Sequence, residues 1–134
     1  MKGIEENNMG LSYGDIIIGN PRYADITPIT VKALADNGAI MLCIPQHVAL
    51  QLKLETAEHR DVTLADGKEI KVPYVGPVQV TFKNRTSFAG ALVMGDEVLL
   101  GAIQMEDMDL VVFAREQRID VNPLSPNMAH NKVK

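Results

Sequence analysis

"VKALADNGAIMLCIPQHVALQLKL", residues 31–54, is the stretch on which the reading of this chain turns. It places one carboxylate, Asp36, in an Asp-Asn-Gly step between two apolar runs. On local chemistry the step is a tight turn. Asn and Gly accept positive φ, and an Asp side chain bonds backbone N–H groups one or two residues on. Upstream, "ITVKALA" (29–35) alternates, so Ile29, Val31, Ala33 and Ala35 share one face of a strand. Downstream, "AIMLCI" (39–44) is continuously apolar, as expected of a strand buried on both faces. Pro45 suits the start of a helix, and Val48, Leu52 and Leu54 then face the core.

Working outward, short β-type segments dominate. "LSYGDIII" (11–18) is rich in β-branched residues, and "GNPRYADITP" (19–28) reads as a loop. "HRDVTLADGKEIKVPYVGPVQVTF" (59–82) reads as a hairpin, with Asp66-Gly67 as a two-residue turn, because both positions can take positive φ. Val78, Val80 and Phe82 point inward. "NRTS" (84–87) turns the chain into "FAGALVM" (88–94), and "DEVLLG" (96–101) is a short apolar strand ending in Gly. "AIQMEDMDL" (102–110) predicts one or two helical turns, with Ile103 packing beside Met105 and Met108 and Glu106 and Asp107 outward. "LVVF" (110–113) and "QRIDV" (117–121) are two more strands. The expectation is an all-β domain over residues 11–123, a small closed or partly closed β-barrel with one or two short helices. Residues 1–10 and 124–134 are expected to be a flexible N-terminus and a flexible tail.

Composition narrows the function classes. The chain has 134 residues, 46% hydrophobic and 22% charged, which fits one domain with a real core. Aromatic residues are 4% and Trp is absent, so Val, Ile, Leu, Ala and Met must build that core. A net charge of −4 with no basic cluster beyond the short tail offers nucleic acid no electrostatic footprint. No apolar run approaches the ~20 residues of a membrane-spanning helix, so no membrane partner is expected. Cys43 is the only cysteine, which rules out an intrachain disulfide; together with a polar N-terminus it sets the expectation of a cytoplasmic protein. Asn84-Arg85-Thr86 matches a glycosylation sequon but reads as a hairpin turn.

The order of these segments resembles the retroviral-type aspartic proteases, specifically the small bacterial clan AA family. "ALADNGA" (33–39) stands in the place of the family's Ala-Leu-Val-Asp-Thr-Gly-Ala, and "CIPQHVALQLKL" (43–54) resembles its strand-Pro-helix. "VTLADGKEIKVPYVGPVQVTF" (62–82) looks like the flap hairpin and next strand. "EVLLGAIQMEDMDLVVF" (97–113) is similar to the second apolar-apolar-Gly motif and helix, and "QRIDVNP" (117–123) to the closing strand. The resemblance implies a retropepsin-like barrel and an aspartic endopeptidase acting on peptide or protein substrates. It implies Asp36 as the catalytic acid, Asn37, Gly38 and Ala39 as the active-site loop, and Ala65, Asp66 and Gly67 as the flap tip. In the family a Thr hydroxyl at the position of Asn37 links two active-site loops across a dimer; Asn offers an amide donor and acceptor instead.

Hydrolysis without a metal or covalent intermediate needs one group to activate water and another to protonate the carbonyl oxygen. Two carboxylates about 3 Å apart do this by sharing one proton. Asp36 is the one Asp in the strand-Asp-x-Gly-apolar setting, so the resemblance implies a C2 homodimer in which it is used twice. No cofactor or metal is expected. His47, His59 and His130 are scattered and, with Cys43, lack zinc-ligand spacing; Cys43 reads as a small core residue. Leu99, Leu100 and Gly101 are expected to support the active-site loop by packing, and Gly38 and Ala39 to bond substrate backbone. Two other readings stay open. One is a catalytically weak or inactive homodimeric peptide-binding module that keeps the barrel, which Asn37 keeps in view; the other is a monomeric barrel holding a small ligand.

Overall fold

A computed structural model of the chain describes residues 11–36 and 38–133. The expectations for residues 1–10 and for Asn37 lie outside the described residues. Nine strands form one sheet: β1 (Ser12–Gly19), β2 (Ile29–Ala35), β3 (Leu42–Ile44), β4 (Glu55–Thr63), β5 (Glu69–Phe82), β6 (Arg85–Val93), β7 (Val98–Leu100), β8 (Leu110–Phe113) and β9 (Arg118–Val121). The two α-helices are α1 (Gln46–Gln51) and α2 (Ala102–Asp107). Strand order is β4-β5-β6-β3-β7-β2-β1-β9-β8, and an added β1–β5 pairing closes six of these strands into a barrel. The all-β barrel with two short helices matches the sequence expectation.

Period-2 alternation builds the barrel core. Ile16 and Ile18 of β1 and Val78, Val80 and Phe82 of β5 are all buried, while Asp15 and Ile17, which alternate with the β1 pair, face out. Leu42, Ile44, Leu100, Met108 and Ile119 complete the same cluster. Each such side chain fully removed from water contributes roughly 1.5–3 kcal/mol. The barrel is capped by α1, which presents Val48, Ala49 and Leu52 to the core. Pro45 sits at its N-cap, where a missing N–H costs nothing, and its carbonyl accepts from Val48 and Ala49 N–H.

Three segments differ from the sequence reading. Only residues 42–44 of the apolar run form a strand, and Ile40 is 66% exposed because residues 38–41 form a loop. The β4–β5 turn is a three-residue loop. Leu64 N–H bonds Lys68 O and Gly67 N–H bonds Leu64 O, with positive φ at Gly67 but not at Asp66. Finally, α2 buries Gln104 and is followed by buried Met108, leaving Ile103 51% exposed. The face of α2 is set by the bonds at its two ends and not by its most apolar residue.

The stretch expected to be a flexible tail carries hydrogen bonds to the barrel. Asn84 Nδ2 donates to Pro126 O and Asn127 O, and Arg85 Nη2 to Ser125 O. Among the described residues, no helix is long and apolar enough to cross a membrane.

Candidate active site

β2 and β3, the strands on either side of the Asp36 loop, are not neighbours. β7 lies between them, parallel to β2 through Ala35↔Leu100 and antiparallel to β3 through Cys43↔Leu99. The chain leaving β2 must therefore cross the end of β7 before it can enter β3. The crossing is stitched by the main chain. Asp36 N–H bonds Leu100 O at 3.1 Å, Ala102 N–H bonds Ala39 O at 2.9 Å, and Ile103 N–H bonds Ile40 O at 3.1 Å. Gly101 makes the crossing sterically possible. A Cβ on it would meet the Ile40 carbonyl carbon and oxygen at 2.4 Å and Met41 N at 2.6 Å.

Within the loop, Asp36 Oδ1 accepts the Gly38 N–H at 2.8 Å, and Ala39 N–H bonds Asp36 O at 3.1 Å. The turn chemistry expected of Asp-Asn-Gly is present, and it orients the carboxylate. Asp36 is half-buried and Gly38 exposed. The N–H and C=O of Ala39 are both engaged, the first by Asp36 and the second by Ala102. The loop is thus bonded to α2 along its inner edge, and Gly38 is its exposed edge.

Asp36 stands in a groove of about 550 Å³. Its walls come from four separated segments: the loop and β3 (Gly38, Ala39, Ile40, Met41, Cys43), the β4 arm and hairpin tip (Val62, Thr63, Leu64, Ala65), β6 and the residue just past its end (Leu92, Met94), and β7 (Leu99). Asp36 is the only carboxylate among these lining residues. Of the three flap residues expected from the sequence, Ala65 lines the groove. Asp66 and Gly67 lie past it in the turn, where Asp66 Oδ1 accepts from Lys68 N–H at 2.9 Å.

Sequence reasoning missed most of the floor. Cys43 is 5% exposed and packs with Val72 and Leu92, as a small core residue does, yet it also lines the groove. Burial, and secondarily the negative charge of Asp36, raise its thiol pKa above the ordinary value, so the thiol stays protonated at neutral pH. Leu99 differs from its neighbours. Alternation along β7 sends Val98 and Leu100 into the barrel core and Leu99 to the groove. Met41 is backed by Arg60, whose Nη1 lies 3.6 Å from Met41 Sδ and whose guanidinium stacks 3.7 Å from the centre of the Tyr74 ring. Among the described residues no three His, Cys, Asp or Glu gather closely enough to hold a metal ion.

No protein-family model matches this chain, and a search of curated proteins finds no match.

Proposed function

We propose that the chain is a homodimeric aspartic endopeptidase of the retropepsin-like kind, with Asp36 contributed once by each subunit. The observation that carries this reading is the placement of Asp36. It is an oriented carboxylate on a crossing loop, the one carboxylate among the residues lining an apolar groove whose walls include a hairpin arm. One such acid cannot serve as both base and acid, so the reaction needs a second copy of the same loop. The rim of the loop suits that role, because exposed Ile40 and Ile103 lie together there, joined by a main-chain bond.

In the proposed reaction the two Asp36 carboxyl groups share one proton and hold a water between them. The ionised member takes a proton from the water as its oxygen attacks the scissile carbonyl carbon. The protonated member gives its proton to the carbonyl oxygen, producing a neutral gem-diol. Proton transfer to the amide nitrogen and return of a diol proton then break the C–N bond, releasing a carboxylic acid and an amine. The apparent pKa values belong to the pair. Met41, Val62, Leu64, Leu92, Met94 and Leu99 form an apolar wall for a substrate side chain, and the arm ending at Ala65 excludes water above it.

The test is cleavage of an unfolded protein at acidic pH by the unaltered chain and by Asp36→Asn. Asn keeps an Oδ1 acceptor for Gly38 N–H, so the variant should fold with near-native stability and lose cleavage. A statine-type inhibitor should compete with substrate, and the active species should sediment as a dimer. Cleavage that survives Asp36→Asn, or an active monomer, overturns the reading.

A further inference from the structure

The residues after β9 do not leave the barrel. Asp109, at positive φ between α2 and β8, gathers them. Its Oδ1 accepts from Asn122 Nδ2 at 3.1 Å, and its Oδ2 from the Ser125 hydroxyl and from His130 N–H at 2.9 Å. Beneath this node the Arg85 side chain is fully buried. It donates to Met108 O and Ser125 O, bonds Asn84 Oδ1 at 3.0 Å and lies 3.8 Å from Asp109. Beyond the node, Asn131 Nδ2 reaches back to Glu106 O and Asp107 O, both at 3.1 Å. Those are carbonyls of the last turn of α2, which has no further turn to bond them. Glu106 O also accepts from Asp109 N–H at 3.1 Å, so at Asp107 O the Asn131 amide replaces the missing turn and at Glu106 O it adds a second donor. Ser87 Oγ fixes the same end through Asp107 Oδ2 at 2.6 Å.

The other end of α2 holds the Asp36 loop through the Ala102 and Ile103 N–H groups. A six-residue helix has too few internal bonds to be rigid alone, so whatever fixes its far end also fixes the loop. We propose that residues 122–131 form a strap that positions Asp36 through α2, with Asn131 as a positioning residue acting on the helix's last carbonyls.

Asn131→Asp in the full-length chain tests this. The variant is isosteric, lacks the amide donors and places a carboxylate against the two carbonyls. Asn127→Asp, which makes the same charge change at an exposed tail position, is the control. Residue-resolved amide exchange is read at Ala39, Ala102 and Ile103 and, for comparison, along β4 and the outer part of β5. Asn131→Asp should speed exchange about tenfold at the first three and leave the hairpin unchanged, while Asn127→Asp changes neither. Asn131→Gln, which keeps the amide, should restore part of the protection. Uniform acceleration across the barrel, or none at those three amides, overturns the strap. The activity arm rests on the peptidase reading and predicts a lower kcat at nearly constant KM. The exchange arm needs no substrate, so an inactive wild-type chain would sink the peptidase and still leave the strap decided.

Discussion

Gly101→Ala is the sharpest perturbation of this site that leaves Asp36 untouched. Gly101 has φ −82°, an ordinary value for any residue, so alanine brings no conformational strain. The whole cost is contact. The new Cβ would sit 2.4 Å from the Ile40 carbonyl carbon and oxygen and 2.6 Å from Met41 N, where ordinary contact begins at 3.4 Å. All three atoms are backbone, so no side chain can swing aside. Either the 40–41 peptide retreats by about 1 Å or β7 does, and retreat stretches the Ile103 N–H bond to Ile40 O. Overpacking of this kind costs about 1–3 kcal/mol, and a weakened main-chain bond adds about 1 kcal/mol. A total near 2–4 kcal/mol corresponds to a fall of about 10 °C in Tm for a domain of this size. Gly19→Ala is the matched control, because its Cβ would meet only Pro28, at 3.5 Å. Thermal unfolding followed by circular dichroism measures both. In the proposed enzyme, a 1 Å shift of the loop should also lower kcat by about 10²-fold. A Gly101→Ala chain that melts within 2 °C of the parent (roughly half a kcal/mol by) would show that the crossing has slack and that Gly101 does not hold the loop.

Two further outcomes rest on the same geometry. The Asp109 carboxyl is held at a pKa of about 2, below the ordinary 3.8, by the Ser125 hydroxyl first, then the His130 N–H and Asn122, with Arg85 nearby. A depressed folded pKa means the strap's stabilisation is full above about pH 4 and is lost as pH falls through 2. Proton-exchange or chemical-shift changes at His130 and Asn131 should track that window, and Asp109→Asn should abolish it. Leu100→Ala should cost about 2–5 kcal/mol in chemical denaturation, since the side chain is fully buried in the barrel core; Leu99→Ala, one residue earlier but facing the groove, should cost less and raise KM instead.

Elements with strong periodicity are legible in the sequence. The alternation of residues 78–82 and the helical spacing of Val48 and Leu52 predict which side chains are buried, because each pattern is satisfied by its own strand or helix against one core. The groove is legible only at Asp36, Gly38, Ala39 and Ala65, which sit in the loop and hairpin that the order of segments suggests. Met41, Cys43, Leu92 and Met94 are not, because they become neighbours only when β3, β6 and β7 pair, and nothing local marks that pairing; Leu99, expected only to pack under the loop, also lines the groove. The strap is illegible for a related reason. Asn and Pro after residue 121 signal departure from a strand, but the acceptors that hold the segment are backbone carbonyls and one carboxylate more than a dozen residues away. Ile103 shows the opposite error. Its apolarity suggests the core, yet its N–H is bonded to Ile40 O at the loop rim, which turns the side chain outward and gives the buried position to Gln104.

Turn and chemistry are rival readings of Asp36 in the sequence, and the geometry makes the two compatible. Oδ1 accepts the Gly38 N–H, a bond any Asx turn makes, and this bond orients the carboxylate. Oδ2 makes no hydrogen bond to a described residue. The fold therefore asks one oxygen of Asp36 for its turn, on a residue that lines the groove. That placement explains why asparagine is the informative replacement. It preserves the structural oxygen and changes only the atom on which the proposed proton sharing depends. A large loss of stability in Asp36→Asn would mean that the carboxylate's charge, and not its geometry, is what the loop requires.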